Sequence, residues 1–120
     1  MIVYGPRESE NRGATIAFNV LRVDGTAIPF AEVEGRAREA GVSLRGGCFC
    51  NPGAAEKAFR FPQGETARCF SALANGEFSI ERFAECLGPD IAVGAVRASL
   101  GIPTSIRDID RAIEVVESFR

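Results

Sequence analysis

The sequence predicts an α+β fold, a small α/β sandwich in which helices cover one face of a mostly antiparallel sheet. Three observations support this class. Apolar residues alternate before Asp24, which is typical of a strand, and they recur at helical spacing after Ser105. Strand-like and helix-like segments also interleave along all 120 residues, a length sufficient for a single hydrophobic core.

The first third of the chain is expected to contribute a boundary segment, a strand and a helix. Residues 1–12 show no periodicity and predict a boundary or linker, so that the domain proper spans 13–120. Residues 14–23 alternate as a strand does, and an Asp-Gly turn follows. Pro29 suits the first position of a helix that should end before Gly41, a typical residue after a helix C-terminus.

The middle of the chain predicts a short strand, two helices and a loop. Residues 42–44 are expected to begin a short strand, and residues 54–59 a short helix after an Asn-Pro-Gly start. Residues 61–75 contain a proline and a glycine and are expected to form a loop. Ser79 is a candidate N-cap for a helix that runs to Leu87.

The C-terminal part predicts one strand and the most secure helix. Residues 91–100 have strand character that Gly94 interrupts. Ser105 is expected to cap the last helix, with an acidic residue at position 108 that favours the positive end of the helix dipole. The core-facing apolar stripe of this helix is expected to comprise Ile106, Ile109, Ile113 and Val116.

Composition excludes several functional classes. The formal net charge is −2 and the positive charges form no runs, which disfavours binding to nucleic acid or to an acidic membrane surface. No stretch has the length of a membrane span or the pattern of a signal peptide, so a cytoplasmic location is expected. Histidine is absent, which removes the commonest general base and neutral metal ligand. The only lysine is Lys57.

The stretch from Arg45 to Gly53 carries the strongest chemical signal. It reads Arg-Gly-Gly-Cys-Phe-Cys-Asn-Pro-Gly, with thiols at Cys48 and Cys50. Glycines permit tight turns that expose a side chain, and a nearby guanidinium favours the reactive thiolate. Arg97 is the second signal, because an arginine within a small, apolar strand requires an anionic partner.

Four cysteines without a secretory signal favour reduced thiols over a disulfide framework. Cys69 and Cys86 are expected to be structural fillers, on a loop and on an apolar helix face. A four-cysteine zinc site is conceivable from the Cys48-x-Cys50 spacing, but the other two cysteines have no ligand close in sequence, so no metal is expected.

Two separated motifs together resemble a known family. Arg-x-Gly-x-x-Cys, ending at Cys50, and Arg-x-Ser-Leu-Gly, beginning at Arg97, resemble the C-terminal small domain of class V aminotransferase-fold, pyridoxal-phosphate enzymes of fold type I. The resemblance is greatest to cysteine desulfurases and selenocysteine lyases. Through Gly-Cys-Phe-Cys-Asn at 47–51 and Gly-Ala-Val-Arg at 94–97, it extends to the desulfurase-like domain of molybdenum-cofactor sulfurases.

The resemblance implies a role for each motif residue. Arg97 would bind the substrate carboxylate, because its planar, permanently charged guanidinium group suits a carboxylate. Arg45 would line the same cavity. Cys50 would be the nucleophile that takes sulfur as a persulfide, and Cys48 would be an accessory thiol. The alternatives are a packing role for Cys48 or Cys50, a stabilising role for Arg45, and a carboxylate partner for Arg97 within the domain.

In the family, a large domain carries the lysine that binds the cofactor, the aspartate that pairs with it and the phosphate site. Lys57 does not lie in the sequence context of that lysine. We therefore expect pyridoxal phosphate in the full-length enzyme, none bound by this chain alone, no activity of the chain alone, and a homodimer of the intact enzyme. The alternatives are a freestanding binding or sulfur-carrier module and a transaminase or lyase relative without desulfuration.

Overall fold

The computed structural model describes residues 1–48, 52–76 and 78–119. Within these residues the strands are β1 (Ile2–Tyr4), β2 (Thr15–Asn19), β3 (Arg45–Gly47) and β4 (Ala95–Ser99). The helices are α1 (Phe30–Glu39), α2 (Pro52–Phe59), α3 (Gln63–Leu73), α4 (Ile80–Leu87) and α5 (Ile106–Glu117). The strands form one sheet in the order β1-β2-β4-β3, and each neighbouring pair is antiparallel. The expected small α+β fold is confirmed.

One face of the sheet carries the first hydrophobic core. Side chains alternate between the two faces of a strand, and Phe18 of β2 and Val96 of β4 point to the same face. They pack with Val33 of α1, which has no exposed surface. Apolar burial of this kind is the main force that holds α1 on the sheet.

The ring of Phe30 lies unusually close to the backbone of the sheet. A Cβ atom added to Gly46 would lie 2.9 Å from Phe30 Cγ, and one added to Gly94 would lie 2.9 Å from Phe30 Cδ1. Gly94 also has φ 118°, a conformation that side chains disfavour. Both glycines are therefore required for the approach of α1 to the strands that carry the two sequence motifs.

A second hydrophobic core joins α3 to α4 and comprises the buried residues Cys69, Phe83, Leu87 and Val93. Aromatic contacts connect it to the sheet: Tyr4 meets Phe59 at 5.2 Å between ring centroids, Phe59 meets Phe61 at 5.8 Å, and Phe61 meets Phe83 at 5.9 Å. These contacts connect β1 to the helices that follow the cysteine motif, although β1 is distant from them in sequence.

Two expectations about local structure are wrong. Residues 1–12 were expected to lack regular structure, yet Ile2–Tyr4 forms β1 and pairs with β2. Residues 61–75 were expected to form a loop, yet Gln63–Leu73 is α3. A three-residue strand is too short to show a period, and α3 is stabilised by tertiary burial of Thr66 and Cys69. The division into a boundary segment, 1–12, and a domain, 13–120, stays a prediction.

The other elements lie close to their expected positions. Pro29 occupies the N-cap position of α1, so the helix begins at Phe30, one residue later than expected. The short strand is Arg45–Gly47 and not residues 42–44, so Arg45 lies within the sheet. Ser79 caps α4 as expected, accepting a hydrogen bond from the backbone N–H of Arg82 at 3.1 Å.

The last helix has the expected cap but not the expected packing. Ser105 and Asp108 form a reciprocal capping box. Ile106 and Ile113, however, are 77% and 51% exposed, whereas Val115 is 5% exposed. Ile109, Ile113 and Val116 line an open groove of about 900 Å³ between α5 and the sheet. The assignment of Ile106 and Ile113 to the core is therefore wrong. Periodicity identified the apolar side of α5, but the distance of the helix from the sheet depends on tertiary packing.

Cys69 and Cys86 form a disulfide between α3 and α4, with 5.9 Å between their Cα atoms. The expectation that both are reduced fillers is therefore wrong, and Cys69 lies in a helix and not on a loop. Packing of α3 against α4 brings the two Cα atoms within the range that a disulfide requires. That proximity could not be seen in a segment expected to be a loop.

Candidate functional site

The register of the sheet places the two arginines of the sequence motifs directly opposite each other. Arg45 of β3 pairs with Arg97 of β4, Arg97 pairs with Ala17 of β2, and Ala17 pairs with Tyr4 of β1. Directly opposite residues in antiparallel strands project from the same face, with Cβ atoms about 4.5–5.5 Å apart. Tyr4, Ala17, Arg97 and Arg45 thus form one row across the sheet, which we call the Arg97 row.

The Arg97 row lies on the face of the sheet opposite the first core, because the residues that alternate with it, such as Phe18 and Val96, point into that core. Arg45 is exposed, whereas Tyr4, Ala17 and Arg97 are partly buried. Two guanidiniums side by side repel each other, and an anion between them would remove that repulsion. The row is therefore a candidate anion-binding surface.

Asn19 organises the end of this surface. Its side chain is 2% exposed, and its Nδ2 donates hydrogen bonds to Tyr4 Oη and to the carbonyl oxygen of Gly94, each at 3.1 Å. A buried amide is costly unless it is hydrogen-bonded, so these contacts fix the rotamer of Asn19. One side chain thereby holds together β1, β2 and the residue just before β4.

Tyr4 is held from two sides. Its ring packs edge-to-face on Phe59, with an interplanar angle of 84°, and its hydroxyl accepts the hydrogen bond from Asn19. Burial raises the pKa of Tyr4 above its ordinary value, and the hydrogen bond from Asn19 opposes that effect. The phenol is consequently protonated at neutral pH and retains its own proton for donation.

The predicted cysteines are only partly within the described residues. Cys50, the predicted nucleophile, lies outside them. Cys48 directly follows β3 and packs, partly buried, against the second core. Lys57 lies in the last turn of α2 and is exposed to solvent, which does not suit a lysine that must hold a cofactor in a closed site.

Across residues 1–48, 52–76 and 78–119, no group of three or more acidic or cysteine side chains is arranged to hold a metal ion. None of the helices in these ranges combines the length and apolar character needed to cross a bilayer.

Sequence reasoning found both arginines but not the other members of this surface. Tyr4 lies in a segment that was expected to be a boundary, and Ala17 has no chemical signature. Asn19 offered a usable signal, because it is a polar residue within an apolar alternating strand. A strand-interior asparagine buried in a core requires specific hydrogen-bond partners.

Comparison with known proteins gives a consistent set of relatives. The chain is 36% identical over 118 residues to molybdenum cofactor sulfurase 2 of Culex quinquefasciatus, and this match covers 96% of the chain and 15% of the relative. It is 38% identical over 121 residues to the molybdenum cofactor sulfurase of Solanum lycopersicum, which covers 97% of the chain and 14% of the relative.

A fungal relative agrees with these. The molybdenum cofactor sulfurase of Neurospora crassa is 33% identical over 118 residues, a match that covers 98% of the chain and 12% of the relative. The chain thus spans only a small part of the length of these curated relatives. No family model matches the chain, and no solved structure matches it.

Proposed function

The chain belongs to the family of the molybdenum cofactor sulfurases, and on this premise we propose that it binds the substrate of a pyridoxal-phosphate-dependent, cysteine desulfurase-like enzyme. It matches these relatives over one segment of their length, which confirms the resemblance to the C-terminal small domain of class V aminotransferase-fold enzymes. In this proposal Arg97 binds the substrate carboxylate, with Arg45 beside it. Cys50 accepts the sulfur, and Cys48 is accessory.

The pairing of Arg45 with Arg97 supports this function most directly. The two arginines belong to separate sequence motifs, and the fold places them on one face as cross-strand neighbours. A carboxylate bound there would accept charge-assisted hydrogen bonds, for which the guanidinium fork is well shaped. A purely structural arginine in β4 would not require a second arginine opposite it.

The residues of this chain do not themselves fit the cofactor. Lys57 is the only lysine and is exposed on α2. Pyridoxal phosphate therefore belongs, in our proposal, to a large domain beyond these 120 residues, in the same or a separate chain, and the present chain alone is inactive. The intact enzyme is proposed to be a cytoplasmic homodimer.

Cys50 is the proposed sulfur acceptor in preference to Cys48. The packing of Cys48 against the apolar second core is evidence for a structural contribution by that residue. Cys50 completes the Arg-x-Gly-x-x-Cys motif that starts in β3. The Cys50 thiolate would attack the sulfur of L-cysteine and form a sulfur–sulfur bond as the carbon–sulfur bond breaks. The electron pair of the broken bond would remain with the substrate carbon, which takes up a proton and leaves as alanine.

The test is turnover of L-cysteine by the complete enzyme, in which the present chain is joined to or mixed with its pyridoxal-phosphate domain. Arg97→Gln should raise KM for L-cysteine by about tenfold or more, because it removes a charge-assisted interaction. Arg38→Gln, on the exposed side of α1, is the matched control and should leave turnover unchanged. An unchanged KM in Arg97→Gln would contradict the carboxylate role.

The sulfur acceptor is tested in the same preparation by mass spectrometry of the cysteine peptide. Cys50→Ser should abolish the persulfide, whereas Cys48→Ser should retain it. A persulfide that forms on the isolated chain from a low-molecular-weight persulfide, without the cofactor domain, would instead support a freestanding sulfur carrier.

A further inference from the structure

We propose that Tyr4 contacts the ligand directly: its hydroxyl donates a hydrogen bond to an anionic oxygen of the molecule whose carboxylate Arg97 binds, and Ala17 forms the floor between them. This inference rests on the proposed function and deepens it. The ligand class is a small amino acid with a short side chain.

The sheet register gives the position of Tyr4. Tyr4 pairs with Ala17, and Ala17 pairs with Arg97, so all three side chains project from the same face in a single row. Tyr4 and Arg97 are separated by one intervening strand, or two strand spacings of about 4.8 Å each. Both side chains are long enough to reach towards each other across that distance.

Ala17 makes the intervening position accessible. Its methyl group fills little of the space between the two large side chains of the row, and Ala17 is only partly buried. A leucine or phenylalanine at this position would fill the same space. In this proposal the space above Ala17 admits a small carboxylate and selects against ligands whose bulk must lie on the sheet.

The hydrogen-bond pattern shows what the Tyr4 hydroxyl still offers. Asn19 Nδ2 donates to Tyr4 Oη, so one lone pair of the phenol oxygen is used. Among the residues that the structure describes, none accepts the proton of that hydroxyl. A phenol has one such proton, and it favours an anionic acceptor.

The contacts that fix the Tyr4 hydroxyl lie close to the end of β3, which leads into the cysteine motif. Asn19 also donates to the carbonyl oxygen of Gly94, and a Cβ on Gly94 would lie 3.2 Å from the carbonyl oxygen of Gly47. Gly47 is the last residue of β3, just before Cys48. The Tyr4 hydroxyl is thus held near the end of the sheet where β3 leads into Cys48.

A structural role for Tyr4 makes a different prediction from a ligand-binding role. The edge-to-face contact with Phe59 needs only the ring, and Tyr4→Phe preserves it. Phe59→Leu removes that ring contact and retains the hydroxyl. The two variants therefore separate the contribution of the hydroxyl from that of packing.

The experiment is a titration of the isotopically labelled 120-residue chain with L-alanine, followed by amide chemical shifts. The expected shifts are centred on β2 and β4. Tyr4→Phe should weaken L-alanine binding about tenfold to a hundredfold, the effect of one hydrogen bond to a charged group. Ala17→Leu should abolish binding, and Phe59→Leu should retain it within about twofold.

The outcomes separate this inference from the proposed function. If Arg97→Gln weakens L-alanine binding and Tyr4→Phe does not, the inference about Tyr4 is wrong and the carboxylate role of Arg97 stands. If L-alanine shifts no amide resonance of β2 or β4, the inference about Tyr4 is overturned for this chain. The proposed function is then decided by KM for L-cysteine in the Arg97→Gln variant of the complete enzyme. Equal loss in Tyr4→Phe and Phe59→Leu would also overturn it, because packing alone would then explain the effect.

Discussion

Arg45 and Arg97 are Cα partners in neighbouring antiparallel strands, although they come from opposite halves of the sequence. Like charges in this arrangement destabilise a sheet unless an anion lies near them. Functional sites are where proteins often depart from the most stable arrangement. The pair is therefore both a candidate binding site and a source of measurable instability.

The first prediction concerns this repulsion. Arg45→Gln should stabilise the ligand-free chain by about 0.5 kcal/mol, because it removes a like-charge cross-strand pair. Urea unfolding at low salt measures the free energy, and the gain should shrink at high salt as the charges are screened. Arg38→Gln, on exposed α1, is the matched control. A loss of stability in Arg45→Gln would indicate that Arg45 serves mainly to support β3.

The second prediction concerns the Cys69–Cys86 disulfide. The two residues are 17 apart in sequence, and loss of a bridge across a loop of that length should cost about 3 kcal/mol. Urea unfolding with and without reductant measures the effect. The double variant Cys69→Ala with Cys86→Ala should be insensitive to reductant. If reductant leaves the wild-type midpoint unchanged, the bridge is absent or contributes nothing.

The third prediction concerns Gly46 and the ring of Phe30. Gly46→Ala should destabilise the protein by about 1–3 kcal/mol, because the new methyl group would overlap the ring. Combining it with Phe30→Ala should make the cost of Gly46→Ala disappear in a double-mutant cycle. Gly53→Ala in α2, where nothing lies within 4 Å of the added atom, is the matched substitution and should be tolerated. Additive effects of Gly46→Ala and Phe30→Ala would refute the contact.

The fourth prediction compares two residues of α5. Val115 is 5% exposed and Ile113 is 51% exposed. Val115→Ala should cost about 2 kcal/mol in free energy of unfolding, whereas Ile113→Ala should cost less than about 1 kcal/mol. Thermal and urea unfolding of the two variants give the comparison. A larger loss in Ile113→Ala would mean that the groove beside α5 is closed in solution.

The fifth prediction concerns the acid side of the stability curve. Hydrogen bonds from the backbone N–H and hydroxyl of Ser105 lower the pKa of Asp108 below its ordinary value of 3.8. A carboxyl group whose pKa is lowered by folding stabilises the folded state at pH values above its unfolded-state pKa. That stabilisation is lost as the pH falls through the folded-state pKa.

The measurement for Asp108 is unfolding free energy from pH 7 to pH 2. Asp108→Asn should be less stable than wild type at neutral pH, and the difference should narrow below about pH 4. Asp110→Asn, an exposed substitution in the same helix, should not show this narrowing. A pH-independent difference for Asp108→Asn would assign its effect to packing or helix propensity.

Local chemistry was sufficient to predict part of this protein. Ser79 and Ser105 cap helices as expected, because an N-cap depends on the capping residue and its own first turn. Arg97 was found because a guanidinium among small apolar residues is costly without an anion. The α+β class followed from the alternation of periodicities along the chain.

Only the tertiary structure decided which residues share the candidate site. The pairing of Tyr4 with Ala17 and of Arg45 with Arg97 depends on sheet register, and a shift of one residue would turn each side chain to the opposite face. Register is set by hydrogen bonds and core packing between strands that are distant in sequence. The same reason explains why the Cys69–Cys86 bridge and the open side of α5 were not predicted. The sequence by itself determined the capped helices and the charged motif residues, whereas long-range packing determined which of those residues meet.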